Sequence, residues 1–136
     1  MKQKFTIILD LDGTLVDTAP DLMLAHNHVM KKFGYETKST KDIRNLVGQG
    51  AGALIGKSIY GQAKKELGKI QDEKIKKEME KDFLDFYGKN ILNESKLIEG
   101  VKEFLVWAKN MDISMAVCTN KTEHLAVDLL KKIGIY

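Results

Sequence analysis

Two aspartates, Asp10 and Asp12, stand two positions apart and are followed directly by Gly13 and Thr14. A carboxylate can attack a phosphorus atom and form an acyl phosphate, which divides one difficult displacement into two easier ones. A second carboxyl group nearby can protonate the leaving oxygen and then deprotonate the attacking water. Because a carboxylate and a phosphate repel each other, this chemistry needs a divalent cation, and hard oxygen ligands of this kind select Mg²⁺.

The residues before the acids separate this chemistry from a plain turn, which is the usual role of Asp-Gly. Phe5 to Leu9 is a short apolar run rich in β-branched residues, and it predicts a strand buried on both faces, as in parallel α/β sheets. The acids then lie at the C-terminal end of the strand, where open α/β sheets bind ligands. Since side chains alternate between the faces of a strand, a turn permitted by Gly13 must bring both acids to one site.

A second apolar run, Ile113 to Cys118, predicts another buried strand, with Thr119 and Asn120 at its tip. Thr119 taken alone is a candidate cap for a helical segment that begins at Lys121. A helix N-terminus also favours phosphate, so a capping role and a phosphate-binding role are compatible. Lys121 itself is interpreted as a solvated lysine in the first turn of that helix.

The segment between the two strands has a helical pattern throughout, from about residue 18 to residue 95. Thr18 predicts a helix start with a capping hydroxyl, and Thr40 is a candidate cap for a second, short helix. A glycine-rich piece at 48–56 leads into further helix. The predicted order is strand, helical insert, helix, strand, helix, and an insert placed directly after a strand-end pair of acids suggests a cap over a site.

The two strand ends resemble known motifs. Phe5 to Asp17, with Asp10-Leu-Asp12-Gly-Thr at its centre, resembles the first motif of the haloacid dehalogenase (HAD) superfamily. Ile113 to Lys121 resembles the second motif, an apolar strand that ends in Thr or Ser. The resemblance spans nearly the whole chain.

The resemblance implies roles for individual residues. Asp10 would be the nucleophile and would bind Mg²⁺ through its side chain. Asp12 would be the acid/base, and its backbone carbonyl would bind the metal. Thr119 would hydrogen-bond the transferring phosphoryl group, with Asn120 and Gly13 beside that group.

The insert resembles the helical-cap subgroup that includes phosphoglycolate phosphatases, through the residues 47–55 and 97–101. This implies an α/β fold with a partial HAD-like Rossmannoid core of parallel strands and flanking helices, formed by 1–17 and 96–136, and an inserted all-helical cap at 18–95. It implies a phosphatase that hydrolyses a small phosphomonoester through an aspartyl phosphate with Mg²⁺. Phosphoglycolate is the best single candidate for the substrate.

Two further motifs of the superfamily, a lysine and one or two acids that complete the metal site, are absent, because the residues after Thr119 predict a single helix. Lys121, which follows Asn120 directly, is the alternative source of that lysine, although the superfamily does not use it in this way. We expect the 136-residue chain alone to be a very poor phosphatase. The alternative is a non-catalytic chain, either a fragment of a longer product or an assembly module. Two strands are fewer than the roughly three that independent stability usually needs, so an exposed sheet edge would favour self-association.

Composition restricts the partners and the location. The net charge is +3, and the lysines are scattered among acids instead of forming the basic stripe that nucleic-acid binding requires. The apolar run near the N-terminus is too short to span a membrane. The single cysteine, Cys118, cannot form an internal disulfide and fits a reducing compartment. We expect a cytoplasmic protein that binds a small phosphorylated metabolite and neither nucleic acid nor membrane.

Arg44 is the only arginine and lies beside the glycine-rich turn in the predicted cap. Arginine binds carboxylates bidentately, and a phosphorylated hydroxy acid carries one, so Arg44 is a candidate for substrate recognition, with an ordinary surface charge as the alternative. The residues 48–53 fit a dinucleotide fingerprint, and 56–58 resemble the end of a P-loop. Neither follows a buried strand as those motifs require.

Overall fold

The computed structural model describes residues 5–60 and 69–136. Its elements in chain order are β1 (Thr6–Leu9), β2 (Val16–Asp17), α1 (Ala19–Phe33), α2 (Thr40–Leu46), α3 (Ala51–Tyr60), α4 (Lys69–Lys89), β3 (Lys96–Leu97), α5 (Val101–Asn110), β4 (Ser114–Val117) and α6 (Glu123–Ile133). The predicted α/β class is confirmed. The division into a core and a cap at 18–95 stays a prediction. None of the described helices is long and apolar enough to cross a membrane.

The strands β1 and β4 pair in parallel, with Leu9 opposite Val117. The ladder continues by one bond, because the amide of Cys118 donates to the carbonyl of Leu9 at 2.8 Å. Both strands run in the same direction, so the residues that follow them come to one edge of the sheet. This pairing therefore brings the residues after Leu9 and those after Cys118 close together.

The prediction that both strands are buried is wrong. Ile8 is 69% exposed, and all four residues of β4 are exposed. Cys118, expected to be a small buried residue, is exposed as well. The physical reason is that this sheet has two strands, so within the described chain β4 keeps a free edge and part of β1 is uncovered. An apolar, β-branched run predicts a strand but does not show what covers it.

A second pair of strands was not predicted. β2 and β3 are antiparallel, with Val16 opposite Leu97 and Asp17 opposite Lys96. The amide of Ile98 extends the pair by donating to the carbonyl of Leu15 at 3.0 Å. The pair holds together the two places where the chain enters and leaves the helices, and two-residue strands are too short to show an alternating pattern.

The helices α1 to α4, here called the four-helix layer, pack through α1 against α4 and α2, and through α3 against α4 and α2. Large fully buried side chains fill this layer: Met30, Ile43, Ile55, Met79, Phe83 and Tyr87. Each such burial contributes roughly 1.5–3 kcal/mol. These side chains belong to one apolar cluster that also includes Leu11 of the β1 loop and Leu129 of α6, so the helices pack continuously onto the rest of the chain.

The cap of α2 differs by one residue from the prediction, which placed it at Thr40. Ser39 is the N-cap, and its hydroxyl accepts a hydrogen bond from the amide of Asp42. In return the Asp42 carboxylate accepts from the backbone amide of Ser39 at 3.4 Å, and it also accepts from the Ser39 hydroxyl at 2.9 Å. These hydrogen bonds, the hydroxyl one foremost, lower the pKa of Asp42 below its usual value. Ser39 and Asp42 therefore form a capping box with the sequence pattern Ser-x-x-Asp.

Candidate active site

Asp10 lies directly after β1 with an exposed side chain, and its Oδ1 accepts from the amide of Leu11 at 2.8 Å. Leu11 is fully buried, and its carbonyl accepts from the amides of Thr14, Leu15 and Val16, so the chain turns sharply after it. Gly13 has a φ of 77°, a conformation that side-chain-bearing residues rarely adopt. The turn predicted at Gly13 is therefore present. The amide of Gly13 donates to the carbonyl of Val16 at 2.8 Å, so it is engaged within the turn in this conformation.

Asp12 is the meeting point of three parts of the chain. Its Oδ1 accepts from the hydroxyl of Thr18 at 2.7 Å and from the ammonium of Lys121 at 2.8 Å. The Asp12 side chain is 12% exposed and the Lys121 side chain 6%. The β1 loop, the start of α1 and the segment after β4 thus share one carboxylate oxygen.

Two sequence interpretations are corrected by these contacts. Thr18 occupies the N-cap position of α1 but makes no side-chain capping bond, because its hydroxyl is directed to Asp12. Lys121 is buried and paired instead of solvated. Burial lowers the pKa of Lys121 below its usual value, and the neighbouring Asp12 carboxylate opposes that shift. Neither contact has a local sequence signal, since both depend on segments brought together by the fold.

Thr119 and Asn120 lie at the tip of β4, as predicted. The Oγ1 of Thr119 accepts from the amide of Lys121 at 3.1 Å, which leaves its own proton available for a ligand. Thr119 does not cap α6, since that helix begins at Glu123 with Thr122 as N-cap. Thr119 instead stabilises the turn that directs Lys121 back towards Asp12.

Asn120 joins the tip of β4 to the four-helix layer. Its side-chain amide donates to the carbonyl of Gly48 at 2.8 Å. Gly50 also lies close to Asn120, since a Cβ added at Gly50 would lie 3.3 Å from the backbone oxygen of Asn120. The glycine-rich loop between α2 and α3 therefore rests against the end of β4, which explains its glycines better than a nucleotide fingerprint does.

Tyr87 of α4 lies next to the ion pair of Asp12 and Lys121. The Lys121 ammonium lies 4.6 Å from the centre of the Tyr87 ring. Tyr87 is 1% exposed, and its hydroxyl has no hydrogen-bond partner among the described residues. Burial raises the pKa of Tyr87, and the charges of Asp12 and Asp21 add to the shift. Sequence reasoning missed Tyr87, because on an apolar helix face it reads as a core residue.

Arg44 pairs with Asp17 through both arms of its guanidinium group. Nη2 lies 2.8 Å from Oδ2, and Nε lies 3.4 Å from Oδ1. Both side chains are partly exposed, at 51% and 37%. They line an open cleft of about 410 Å³ that Asp12 and Gly13 also border. The carboxylate-binding fork of Arg44 is thus occupied by a residue of β2.

The oxygen donors at the tip of β1 suit Mg²⁺ in kind but are few. Mg²⁺ prefers six oxygen ligands in octahedral geometry and commonly keeps several waters. The exposed Asp10 carboxylate can serve as an Mg²⁺ ligand. Oδ1 of Asp12 already accepts from Thr18 and Lys121, so the backbone carbonyl of Asp12 is the group of that residue that would bind the ion. Within 5–60 and 69–136 no group of three His, Cys, Asp or Glu side chains forms a metal site.

Comparison with known sequences places this geometry in a family. Residues 7–136 match the family model described as haloacid dehalogenase-like hydrolase. The chain is 39% identical over 128 residues to a phosphoglycolate phosphatase of Agrobacterium fabrum, with 94% of this chain and 53% of the relative covered. It is 35% identical to a phosphoglycolate phosphatase of Haemophilus influenzae, over 99% of this chain and 60% of that protein.

Solved structures agree with the sequence matches. A predicted phosphoglycolate phosphatase from Haemophilus somnus superposes with a TM-score of 0.84 at 33% identity, covering 99% of this chain and 60% of that one. The chain spans between about half and three fifths of the length of the curated relatives it matches. Because the family model matches this chain over almost the chain's whole length, the chain belongs to the family of haloacid dehalogenase-like hydrolases.

Proposed function

We propose that this chain carries the nucleophile end of a phosphatase that hydrolyses a small phosphomonoester through an aspartyl phosphate on Asp10. The observation that carries the proposal is the parallel pairing of β1 and β4, which brings Asp10, Asp12 and Thr119 to one sheet edge. Relatives named phosphoglycolate phosphatase make phosphoglycolate the best candidate substrate. We place the protein in the cytoplasm, in keeping with its single cysteine.

The two carboxyl groups divide the reaction into two displacements. An oxygen of Asp10 attacks phosphorus, the bond from phosphorus to the leaving oxygen breaks, and Asp12, which enters this step in its protonated form, gives that oxygen a proton. Asp12 then takes a proton from a water molecule, whose oxygen attacks phosphorus and breaks its bond to Asp10. Phosphate leaves, and both carboxyl groups return to their initial state. In this proposal the hydroxyl of Thr119, whose oxygen accepts from the amide of Lys121, donates its proton to a phosphoryl oxygen.

Mg²⁺ belongs to this proposal as the ion that neutralises charge between the phosphate and the Asp10 carboxylate. The Asp10 side chain and the Asp12 backbone carbonyl would hold it, with water and phosphate oxygens as the other ligands. We propose further that these 136 residues alone turn over slowly, because the described site offers two carboxylates and one already paired ammonium. Missing charge stabilisation at a developing negative charge typically costs several kcal/mol of barrier.

Beryllium trifluoride, a stable mimic of a phosphoryl group on aspartate, tests the nucleophile independently of turnover. We expect a bound ¹⁹F signal that requires Mg²⁺ and disappears in Asp10→Asn. Asp128→Asn is the matched control, since Asp128 is a carboxylate on the surface of α6 paired with Lys132. A signal that persists in Asp10→Asn would overturn the assignment.

The expected weak activity is tested by the turnover of phosphoglycolate by the 136-residue chain. A rate of about 1 per second, the low end of typical enzymes, would contradict it.

A second candidate function is assembly through the free edge of β4, and one feature favours it. A trough of about 1130 Å³ runs beside β4 and is lined by apolar side chains of α5 and α6. We propose that this edge pairs with β4 of a second copy. Analytical ultracentrifugation over a concentration series should then report a dimer that Val117→Lys weakens and Leu24→Lys, an exposed position on α1, does not. A monomer at all concentrations would contradict this candidate.

A further inference from the structure

A small cavity of about 40 Å³ lies between the strand tips and the four-helix layer, with room for only a few heavy atoms. Its polar side chains are those of Asp12, Tyr87, Lys121 and Thr122. We propose that this cavity, here called the Lys121 pocket, binds the carboxylate of the substrate's leaving group through the ammonium of Lys121 and the hydroxyl of Tyr87. The inference rests on the proposed function and deepens it, since it narrows the substrate to phosphate esters of short hydroxy acids.

The ammonium of Lys121 has capacity for a ligand. An ammonium group carries three donors, and among the described residues Asp12 Oδ1 is its one hydrogen-bond acceptor. With 6% of its side chain exposed, Lys121 has little access to bulk water for the remaining donors. Buried charges in proteins need nearly all their hydrogen bonds satisfied, so a second anionic partner suits this site.

Tyr87 provides the second polar contact. Its hydroxyl is buried and lacks a partner among the described residues, although buried polar groups in folded proteins are almost always hydrogen-bonded. The Lys121 ammonium lies 4.6 Å from the ring centre, so the two groups border the same small space. A carboxylate has two oxygens and several lone pairs, and one carboxylate can therefore accept from both donors.

The position of the pocket relative to the reacting groups supports a leaving-group site. Asp12 lines its wall and is the proposed proton donor to the leaving oxygen. A leaving group attached to phosphorus at Asp10 would therefore pass Asp12 before it reaches Lys121. The remaining lining is mainly apolar and includes Leu22, Leu54, Phe83, Leu84 and Leu125. An apolar wall lowers the local dielectric and strengthens a contact between a carboxylate and an ammonium.

The same geometry reassigns the recognition role that sequence reasoning gave to Arg44. The guanidinium of Arg44 is held by Asp17 and lines a different cleft, about ten times larger than the Lys121 pocket. It is half exposed, where solvent weakens its attraction for an anion. Of the two cations near the acids, Lys121 is thus the buried one with donors to spare.

The test uses NMR titration of the isotope-labelled 136-residue chain with three small ligands in separate experiments. Glycolate carries the carboxylate, ethylene glycol is its uncharged analogue, and ethyl phosphate with Mg²⁺ carries only the phosphoryl end. We expect glycolate to shift the side-chain signals of Lys121 and Tyr87, ethylene glycol to leave them unchanged, and ethyl phosphate to shift Asp10 and Thr119.

Variants make the assignment specific. Lys121→Met, which keeps the apolar stem, should weaken glycolate binding by about tenfold, and Tyr87→Phe by a few-fold. Lys121→Arg should retain binding. Lys132→Met, at an exposed lysine of α6, is the matched control and should change nothing. Glycolate that fails to bind the wild-type chain, or that binds Lys121→Met and Tyr87→Phe unchanged, overturns the pocket. Absence of ethyl phosphate shifts at Asp10 and Thr119 would instead reject the proposed phosphatase site.

Discussion

Lys121 and Asp12 stand 109 positions apart in the sequence, and their Nζ and Oδ1 atoms lie 2.8 Å apart in the fold. The same carboxylate oxygen accepts from the hydroxyl of Thr18 at the start of α1. One carboxylate therefore connects the strand that carries the candidate nucleophile, the segment after the neighbouring strand, and the four-helix layer. Any change in this cluster should affect both the stability of the fold and the geometry of the site.

Replacing Lys121 by Met should lower the free energy of unfolding, because Asp12 would lose its cation while it stays largely buried. Removing one partner of a buried ion pair typically costs about 3–5 kcal/mol, and the remaining Thr18 contact favours the lower end of that range. Urea denaturation followed by circular dichroism measures the loss. The double variant Asp12→Asn with Lys121→Met should recover part of it, and a double variant as unstable as the sum of both single changes would contradict the pairing.

A substitution of Asp21 should also lower the free energy of unfolding strongly, because this residue joins the start of α1 to the segment that follows α4. Its carboxylate is 1% exposed and accepts from the amides of Asn93, Glu94 and Ser95 at 2.9–3.0 Å and from the Ser95 hydroxyl at 2.7 Å. Asp21→Ala should lower the free energy of unfolding by more than about 3 kcal/mol, because several buried donors would lose one charged acceptor. Asp85→Ala, at an exposed acid of α4, is the control. Equal losses in the two variants would contradict this role.

Asp21 also shows how much of the fold the sequence could predict. The helix start that the sequence predicts at Thr18 is present, and Asp21 lies in the first turn of α1. That its carboxylate would bind amides 72 to 74 positions away could not be inferred, because no local pattern encodes a partner so distant. Local signals predicted most helices, and long-range contacts determine what their polar side chains do.

The candidate site divides in the same way. Asp10 and Thr119 could be placed together from sequence, because parallel strands present their C-terminal ends at one edge. Lys121 and Tyr87 could not, since one follows a strand that leads into a helix and the other belongs to an apolar helix face. Their proximity depends on how α4 packs over the strand tips, which composition and spacing do not define.

His26 predicts a specific dependence of stability on pH. It is fully buried, and desolvation lowers its pKa below the usual value. Its Nε2 lies 2.7 Å from the hydroxyl of Ser58, and Nδ1 lies 2.9 Å from Oδ1 of Asn27. Because that amide oxygen can only accept, we assign the ring proton to Nδ1 in the neutral form. The folded chain therefore resists protonation at pH values where the unfolded chain accepts it.

The free energy of unfolding should consequently fall as the pH drops below about 6.5, the unperturbed histidine value, and the His26 contribution should level off once the pH is below its lowered folded pKa. Denaturation midpoints measured between neutral pH and mildly acidic pH test this. His26→Gln should show a shallower dependence than wild type in that window. His124→Gln, at an exposed position of α6, should follow the wild-type curve, and identical slopes in all three proteins would contradict the assignment.

The contact between the glycine-rich loop and the tip of β4 gives the last prediction. Gly50 has a φ of 87°, and a Cβ there would lie 3.3 Å from the backbone oxygen of Asn120. Gly100 has nearly the same φ, 85°, but nothing within 4 Å. Gly50→Ala and Gly100→Ala should therefore share a backbone strain of about 1 kcal/mol, and only Gly50→Ala should push the loop off β4. Faster hydrogen exchange in the 48–51 loop, confined to Gly50→Ala, is the expected readout, and equal exchange in both variants would show that the contact contributes nothing.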